Sequence, residues 1–194
     1  VMKVGFWHEI LRRTSLTGVL SLGLIVGLPS SIGSLAAQST TPVIESIEGL
    51  TTASIFISVT PERAWEVLTD YEITGPAMPD IKFAKVISRQ GKRIKLSQTY
   101  QAPYTFGLKI YALLEIEEIP KTQINYKILR GDLIRSLSGS WTIIPVQGGT
   151  LVRHRIEVEP EIPQILRPVF LELSQENLGQ SMLILRRLML ERAS

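Results

Sequence analysis

The sequence predicts an α+β domain in which a curved antiparallel sheet wraps one long C-terminal helix. Three observations lead there. From about Pro163 to Arg192, apolar residues recur every three or four positions, at Leu166, Val169, Phe170, Leu173, Leu178, Met182, Leu185, Leu188 and Met189, which puts them on one helix face. Most of residues 50–159 instead alternate with the period of two that marks half-buried strands. The separators between those runs, such as Gln90-Gly91-Lys92 and Ile119-Pro120-Lys121-Thr122, have turn composition and hairpin length. A helix and a sheet that each carry one apolar face bury those faces against each other.

At the N-terminus, Lys3, Arg12 and Arg13 precede an uncharged apolar run, Leu16 to Leu28, which Pro29 breaks before Ser34-Leu35-Ala36-Ala37. That order is the pattern of a secretory signal peptide, with cleavage expected after Ala36 or Ala37. The run is shorter than the roughly 20 residues a spanning helix needs, and the alternative is an uncleaved N-terminal anchor or an ordinary helix. Arg12-Arg13 resembles a twin-arginine signal, although Ser15 stands where that signal prefers an apolar residue. Residues 1–37 are therefore read as signal peptide or N-terminal anchor, 38–49 as a polar linker, and 50–193 as the folded domain. The expected location is exported, in a periplasm or lumen, with membrane attachment if the segment is retained.

Within the domain, Leu50 to Val59 forms the first strand, with Ala53, Ile55, Ile57 and Val59 on one face. Thr60-Pro61 supplies an N-cap and a proline at the first helical position, opening a helix to Asp70. Tyr71 to Asp80, with Gly75, Pro76 and Pro79, allows a short second helix and a turn. Strands are expected over Phe83–Arg89, Arg93–Gln101, Tyr104–Glu118 and Gln123–Arg130, then Leu137–Val146 and Leu151–Glu159. Pro160 and Pro163 end the sheet, and Pro168 is expected to kink or delay the last helix and to mark a hinge.

Composition narrows the function classes. The chain has 194 residues, 44% of them hydrophobic, enough for one domain with a sizeable core. Its net charge is +3, of which residues 1–36 hold +2, so the domain offers no electrostatic footprint for nucleic acid. With no cysteine and only His8 and His154, thiolate and multi-histidine metal sites are excluded.

Parity assigns the faces. Ile94, Leu96, Gln98 and Tyr100 share one side of their strand, as do Leu108, Ile110, Ala112, Leu114 and Ile116, then Ile124, Tyr126 and Ile128, then Val152, His154, Ile156 and Val158. Leu137, Trp141 and Ile143 are expected to point the same way, with Gly139 leaving space beside the Trp. The opposite faces, with Lys95, Ser97, Thr99, Lys109, Glu115, Glu117, Asn125 and Lys127, are assigned to water, and no strand carboxylate is expected inside.

Val59-Thr60-Pro61-Glu62-Arg63-Ala64-Trp65-Glu66-Val67-Leu68-Thr69-Asp70-Tyr71 is followed by Met78-Pro79-Asp80-Ile81 and Leu129-Arg130-Gly131-Asp132. Further on come Ser138-Gly139-Ser140-Trp141, Gly149-Thr150 and Val158-Glu159-Pro160. In this order and spacing the chain resembles the START-like (SRPBCC) superfamily, in its polyketide cyclase/dehydrase and coenzyme Q-binding branch, over about residues 45–193. The resemblance implies a helix-grip fold, with a seven-stranded antiparallel sheet wrapped around the last helix and enclosing an apolar pocket. The same fold carries lipids, quinones and steroids and in some branches does chemistry, so function rests on the site.

The inward set Gln98, Tyr100, Ile110, Leu114, Tyr126, Trp141 and His154 has the composition of a ligand pocket, mostly apolar with a few orienting polar groups. Val169, Phe170, Leu173, Asn177 and Met182 are expected to form the facing helix wall. The alternative is that the aromatics fill a solid core and neighbours satisfy Gln98 and His154. The favoured reading is an exported binding protein for a hydrophobic small molecule, an isoprenoid quinone or another lipid, with no cofactor, no metal and no nucleic acid, and with oligomeric state left open. Two other classes remain. A polyketide cyclase/aromatase-like enzyme would use His154 as general base, with Tyr100 or Tyr126 orienting a carbonyl. An interaction module would use Leu171, Leu183, Ile184 and Leu190, which lie off the main helix stripe. Met78, Tyr104 and Phe106, apolar in turn-like stretches, suggest a gate or a membrane-surface contact, to which Arg186, Arg187 and Arg192 would add charge, or, equally, a cap on the core.

Overall fold

The computed structural model describes residues 39–102, 105 and 107–191. The signal-peptide reading, and Tyr104, Phe106 and Arg192, lie outside those residues. Among the described residues, eight strands form one antiparallel sheet: β1 (Val43–Ile47), β2 (Leu50–Ile57), β3 (Ile81–Gln90), β4 (Arg93–Tyr100), β5 (Ile110–Ile119), β6 (Gln123–Gly131), β7 (Ile134–Val146) and β8 (Gly149–Pro160). Between β2 and β3 come α1 (Pro61–Thr69) and α2 (Tyr71–Ala77), and a 3-10 turn (Gln164–Leu166) leads into α3 (Arg167–Glu191). The strand order β1-β2-β8-β7-β6-β5-β4-β3 pairs the beginning of the domain with its end and leaves the β3–β6 meander on the other side.

Local signals explain most of these elements. Thr60 accepts a hydrogen bond from the Arg63 amide at 3.2 Å, and Pro61 starts α1. Register shifts in β3, β6 and β7 bend the strands and help the sheet curve. In the core, Ile55, Ile57, Ile94, Leu96, Ile124 and Val152 of the sheet are closed off from water together with Val67 of α1 and Met182, Leu185 and Met189 of α3.

Two elements differ from expectation. The sheet has eight strands, because Val43–Ile47, read as linker, pairs with β2 in register Val43↔Ser54 to Ile47↔Leu50. Helix α3 covers this strand: Gln175 Nε2 donates to Ser46 Oγ at 2.9 Å. The strand expected from Tyr104 begins only at Ile110, and Leu108 is exposed. The connection is held by Thr105, whose buried hydroxyl accepts from the Ala102 amide at 3.1 Å and reaches the Ala102 and Leu108 carbonyls at 2.9 and 2.8 Å. Loop-internal bonds therefore replace the ladder that alternation alone suggested.

Burial also departs from parity. Met78 is buried in the core, which matches the core-cap alternative rather than an exposed membrane contact. Thr99, assigned to water, is buried, and Glu118 is an inward carboxylate. Glu118 sits there because its charge is matched: Tyr71 Oη donates to Oε1 at 2.8 Å and Arg89 Nη1 to Oε2 at 2.9 Å. Pro168 lies in the first turn of α3, where a missing amide costs nothing, so the helix starts late rather than kinking there.

Among the described residues no helix is long and apolar enough to cross a membrane, and no group of His, Cys, Asp or Glu is placed to hold a metal ion.

Candidate functional site

A mainly apolar cavity of about 290 Å³ lies between the concave face of the sheet, α2 and α3. Leu96, Ile110, Leu114, Ile116, Ile124, Leu137, Ile156 and Val158 supply its aliphatic wall from five strands. Gln98, Tyr100, Tyr126, Trp141 and His154 supply polar and aromatic groups, as the two-residue period of β4, β6, β7 and β8 directs. Leu108, Leu133 and Leu171 line it while staying exposed, so they stand at its mouth.

The register explains how the aromatics meet. Trp141 pairs with His154 across β7 and β8, and their rings stack with centroids 3.9 Å apart and planes 6° from parallel. Tyr126 of β6 pairs with Gly139 of β7, and its hydroxyl lies 2.6 Å from His154 Nε2. Gly139 makes room for Tyr126 rather than for Trp141: a methyl group there would overlap the Tyr126 hydroxyl and the Arg155 carbonyl. Gly139→Ala should therefore push Tyr126 off His154 and destabilise the domain by about 1–3 kcal/mol, the usual cost of overpacking. Chemical denaturation measures the loss, and an unchanged midpoint would contradict the fit.

Burial sets the protonation of this group. Desolvation lowers the His154 pKa to about 3. Desolvation, then the charges of Tyr100 and Asp80, raise that of Tyr126, and desolvation followed by Asp80 raises that of Tyr100, whose hydroxyl donates to Gln98 Oε1. His154 Nδ1 is buried with no hydrogen-bond partner. An orphaned acceptor is cheaper than an orphaned N–H, so the proton belongs on Nε2, donated to Tyr126. His154 is thus a neutral, weakly basic imidazole, and Glu118, the inward carboxylate, does not line the cavity.

The helix wall differs from the expected one. Phe170 and Asn177 line the cavity; Val169, Leu173 and Met182 do not. The lining positions are Phe170, Leu171, Ser174, Asn177, Leu178, Ser181 and Leu185, one coherent face at about 100° per residue. Val169 and Leu173 fall to one side of that face, exposed and half-buried respectively, and Met182 falls to the other side, in the solid core. Of the off-stripe residues, Ile184 and Leu190 pack on the core, Leu171 is at the mouth, and Leu183 is exposed.

Sequence reasoning missed Ser174 and Ser181, which with Asn177 form a column of small polar residues inside the gripped helix. A polar gap at i, i+3 and i+7 was the available signal. Tyr71, Asp80 and Leu133 also line the cavity from turns and a helix start, where no periodicity points inward. Leu133 has φ 56°, a left-handed conformation unusual for a bulky residue, and its carbonyl accepts from the Glu161 amide at 2.9 Å.

A sequence profile described as polyketide cyclase / dehydrase and lipid transport matches residues 57–182. No curated protein sequence matches the chain. Among solved structures, TTHA0849 from Thermus thermophilus aligns with a TM-score of 0.68 at 26% identity, over 75% of this chain and 99% of that one. A START superfamily protein from Mycobacterium smegmatis aligns at 0.59 and 16% identity, over 75% and 99%. The Zhui aromatase/cyclase from Streptomyces sp. R1128 aligns at 0.64 and 12% identity, over 75% and 95%. At those identities the last two speak to the fold alone.

Proposed function

Because the chain belongs to the polyketide cyclase / dehydrase and lipid transport family and has the START-like helix-grip fold, we propose that it is an exported protein that binds a hydrophobic small molecule, an isoprenoid quinone or another lipid, without converting it. The observation that carries this reading is the apolar cavity of about 290 Å³ between sheet and helix. That is about twice the ~150 Å³ of a dry cavity that accepts benzene. It suits a fused bicyclic head or a short chain segment, with the remainder leaving past Leu108, Leu133 and Leu171. Each Å² of apolar ligand surface removed from water contributes about 25 cal/mol. Binding is favoured over conversion because a histidine with a pKa of about 3 and no carboxylate partner is a poor general base near neutrality.

Purified protein should carry or take up an apolar ligand, detected by organic extraction with mass spectrometry and by quinone titration. Leu114→Trp, which projects into the cavity from β5, should abolish uptake while the protein stays folded. Failure of the wild type to take up any lipid or quinone would sink the reading. Export rests on the order of Lys3, Arg12-Arg13, the Leu16–Leu28 run and Ala36-Ala37; retention of the intact chain in the cytoplasm would overturn it.

A further inference from the structure

Asn177 is more than nine-tenths buried at 9% exposure, faces the cavity from α3, and among the described residues its carboxamide has no hydrogen-bond partner. Its neighbours on the same face are self-satisfied: Ser174 Oγ donates to the Phe170 carbonyl at 2.6 Å and Ser181 Oγ to the Asn177 carbonyl at 2.9 Å. The carboxamide atoms are not sealed within the packing but open onto the cavity, so whatever fills the cavity is what satisfies them. Among the described residues the cavity is lined by no lysine or arginine, and its one charged side chain, Asp80, is acidic.

From these observations we infer that the ligand is an uncharged lipophile bearing a carbonyl or hydroxyl oxygen, which Asn177 recognises by hydrogen bonding, and that the cavity rejects anionic analogues. The inference rests on the reading that the cavity binds a ligand. A carboxamide offers a donor and an acceptor, so it matches a quinone carbonyl or an alcohol equally. A carboxylate or phosphate inside would lose its hydration, find no cation and meet Asp80. The second polar wall agrees. With the proton of His154 donated to Tyr126, the hydroxyl hydrogen of Tyr126 is left free for an acceptor oxygen.

The test uses the full chain and four bicyclic probes of matched size: naphthalene, 2-naphthol, 1,4-naphthoquinone and 2-naphthoate. Binding is followed near neutral pH by calorimetry, with the fluorescence of cavity-lining Trp141 as a second signal. The naphthol and the quinone should bind at least about tenfold tighter than the naphthoate, the cost of burying an uncompensated charge. Asn177→Leu should weaken the naphthol and the quinone about fivefold, the factor for one net hydrogen bond. It should leave naphthalene unchanged. Should Asn177→Leu fail to fold, Asn177→Ala makes the same comparison of polar and apolar probes. Naphthoate binding as tightly as naphthol, or a substituted protein that keeps its preference for the oxygenated probes, would overturn the inference while naphthalene binding leaves the cavity reading intact. No binding of any probe would overturn both.

Discussion

Acidification from pH 6.5 towards 5 is expected to destabilise the domain by roughly 1.4 kcal/mol per pH unit, chiefly through His154. An unfolded imidazole takes up a proton below about pH 6.5, whereas in the fold desolvation keeps His154 neutral until about 3. Between those values the unfolded state binds one more proton, so stability rises with pH and is lost as pH falls. The loss begins near the unfolded pKa and levels off near the folded one. It is large because nothing nearby compensates: Nε2 meets a neutral hydroxyl, Nδ1 meets nothing, and the stacked Trp141 is uncharged. His154→Phe keeps an aromatic ring against Trp141 but cannot titrate. Urea denaturation of both proteins across this window should show a slope in the wild type and a flatter line in the variant. Every other titratable group is the same in the two proteins, so the difference between their slopes isolates position 154. Parallel slopes would mean that the imidazole is not the source.

Met182→Ala is expected to cost about 2–5 kcal/mol, the range for emptying a tightly packed site, with little effect on ligand affinity. Met182 is entirely inaccessible, packs in the solid core, and does not line the cavity. Phe170→Ala should behave in the opposite way, because Phe170 borders space that is already open and forms part of the lining. Its stability cost should be smaller and its affinity loss larger. Thermal denaturation and ligand titration on the two proteins would separate the roles; a large affinity loss in the Met182 variant would return it to the cavity wall.

These two substitutions also show where local patterning stops being informative. Both residues belong to one apolar stripe, and the stripe does report burial. It does not distinguish burial against solid core from burial against a void. That depends on helical phase relative to the sheet, which is set by contacts far away in sequence: Gln175 on Ser46 of β1, and Arg63 of α1 reaching the Met189 carbonyl at 3.4 Å. Strand parity carried further. It placed Gln98, Tyr100, Leu114, Tyr126, Trp141 and His154 along the cavity, because a side chain's face in a strand is decided by its own backbone. The same rule puts Glu118 on the inner face with Leu114 and Ile116; only the partners Tyr71 and Arg89, distant in sequence, show why a carboxylate is tolerated there.

What the sequence by itself determined is therefore the architecture and the inner face of the sheet: the period of two, the turn spacings, the Thr60-Pro61 cap and the long C-terminal periodicity. All of these are local, recorded within a few residues. Only the tertiary structure decided that Val43–Ile47 joins the sheet as an eighth strand, that Ser174 and Ser181 rather than Val169, Leu173 and Met182 join Phe170 and Asn177 along the cavity, and that the Asn177 carboxamide has no hydrogen-bond partner among the described residues. The physical reason is that an edge pairing, a helix's rotation about its axis and a missing hydrogen bond are each relations between distant segments, and no window along the chain contains both sides of such a relation.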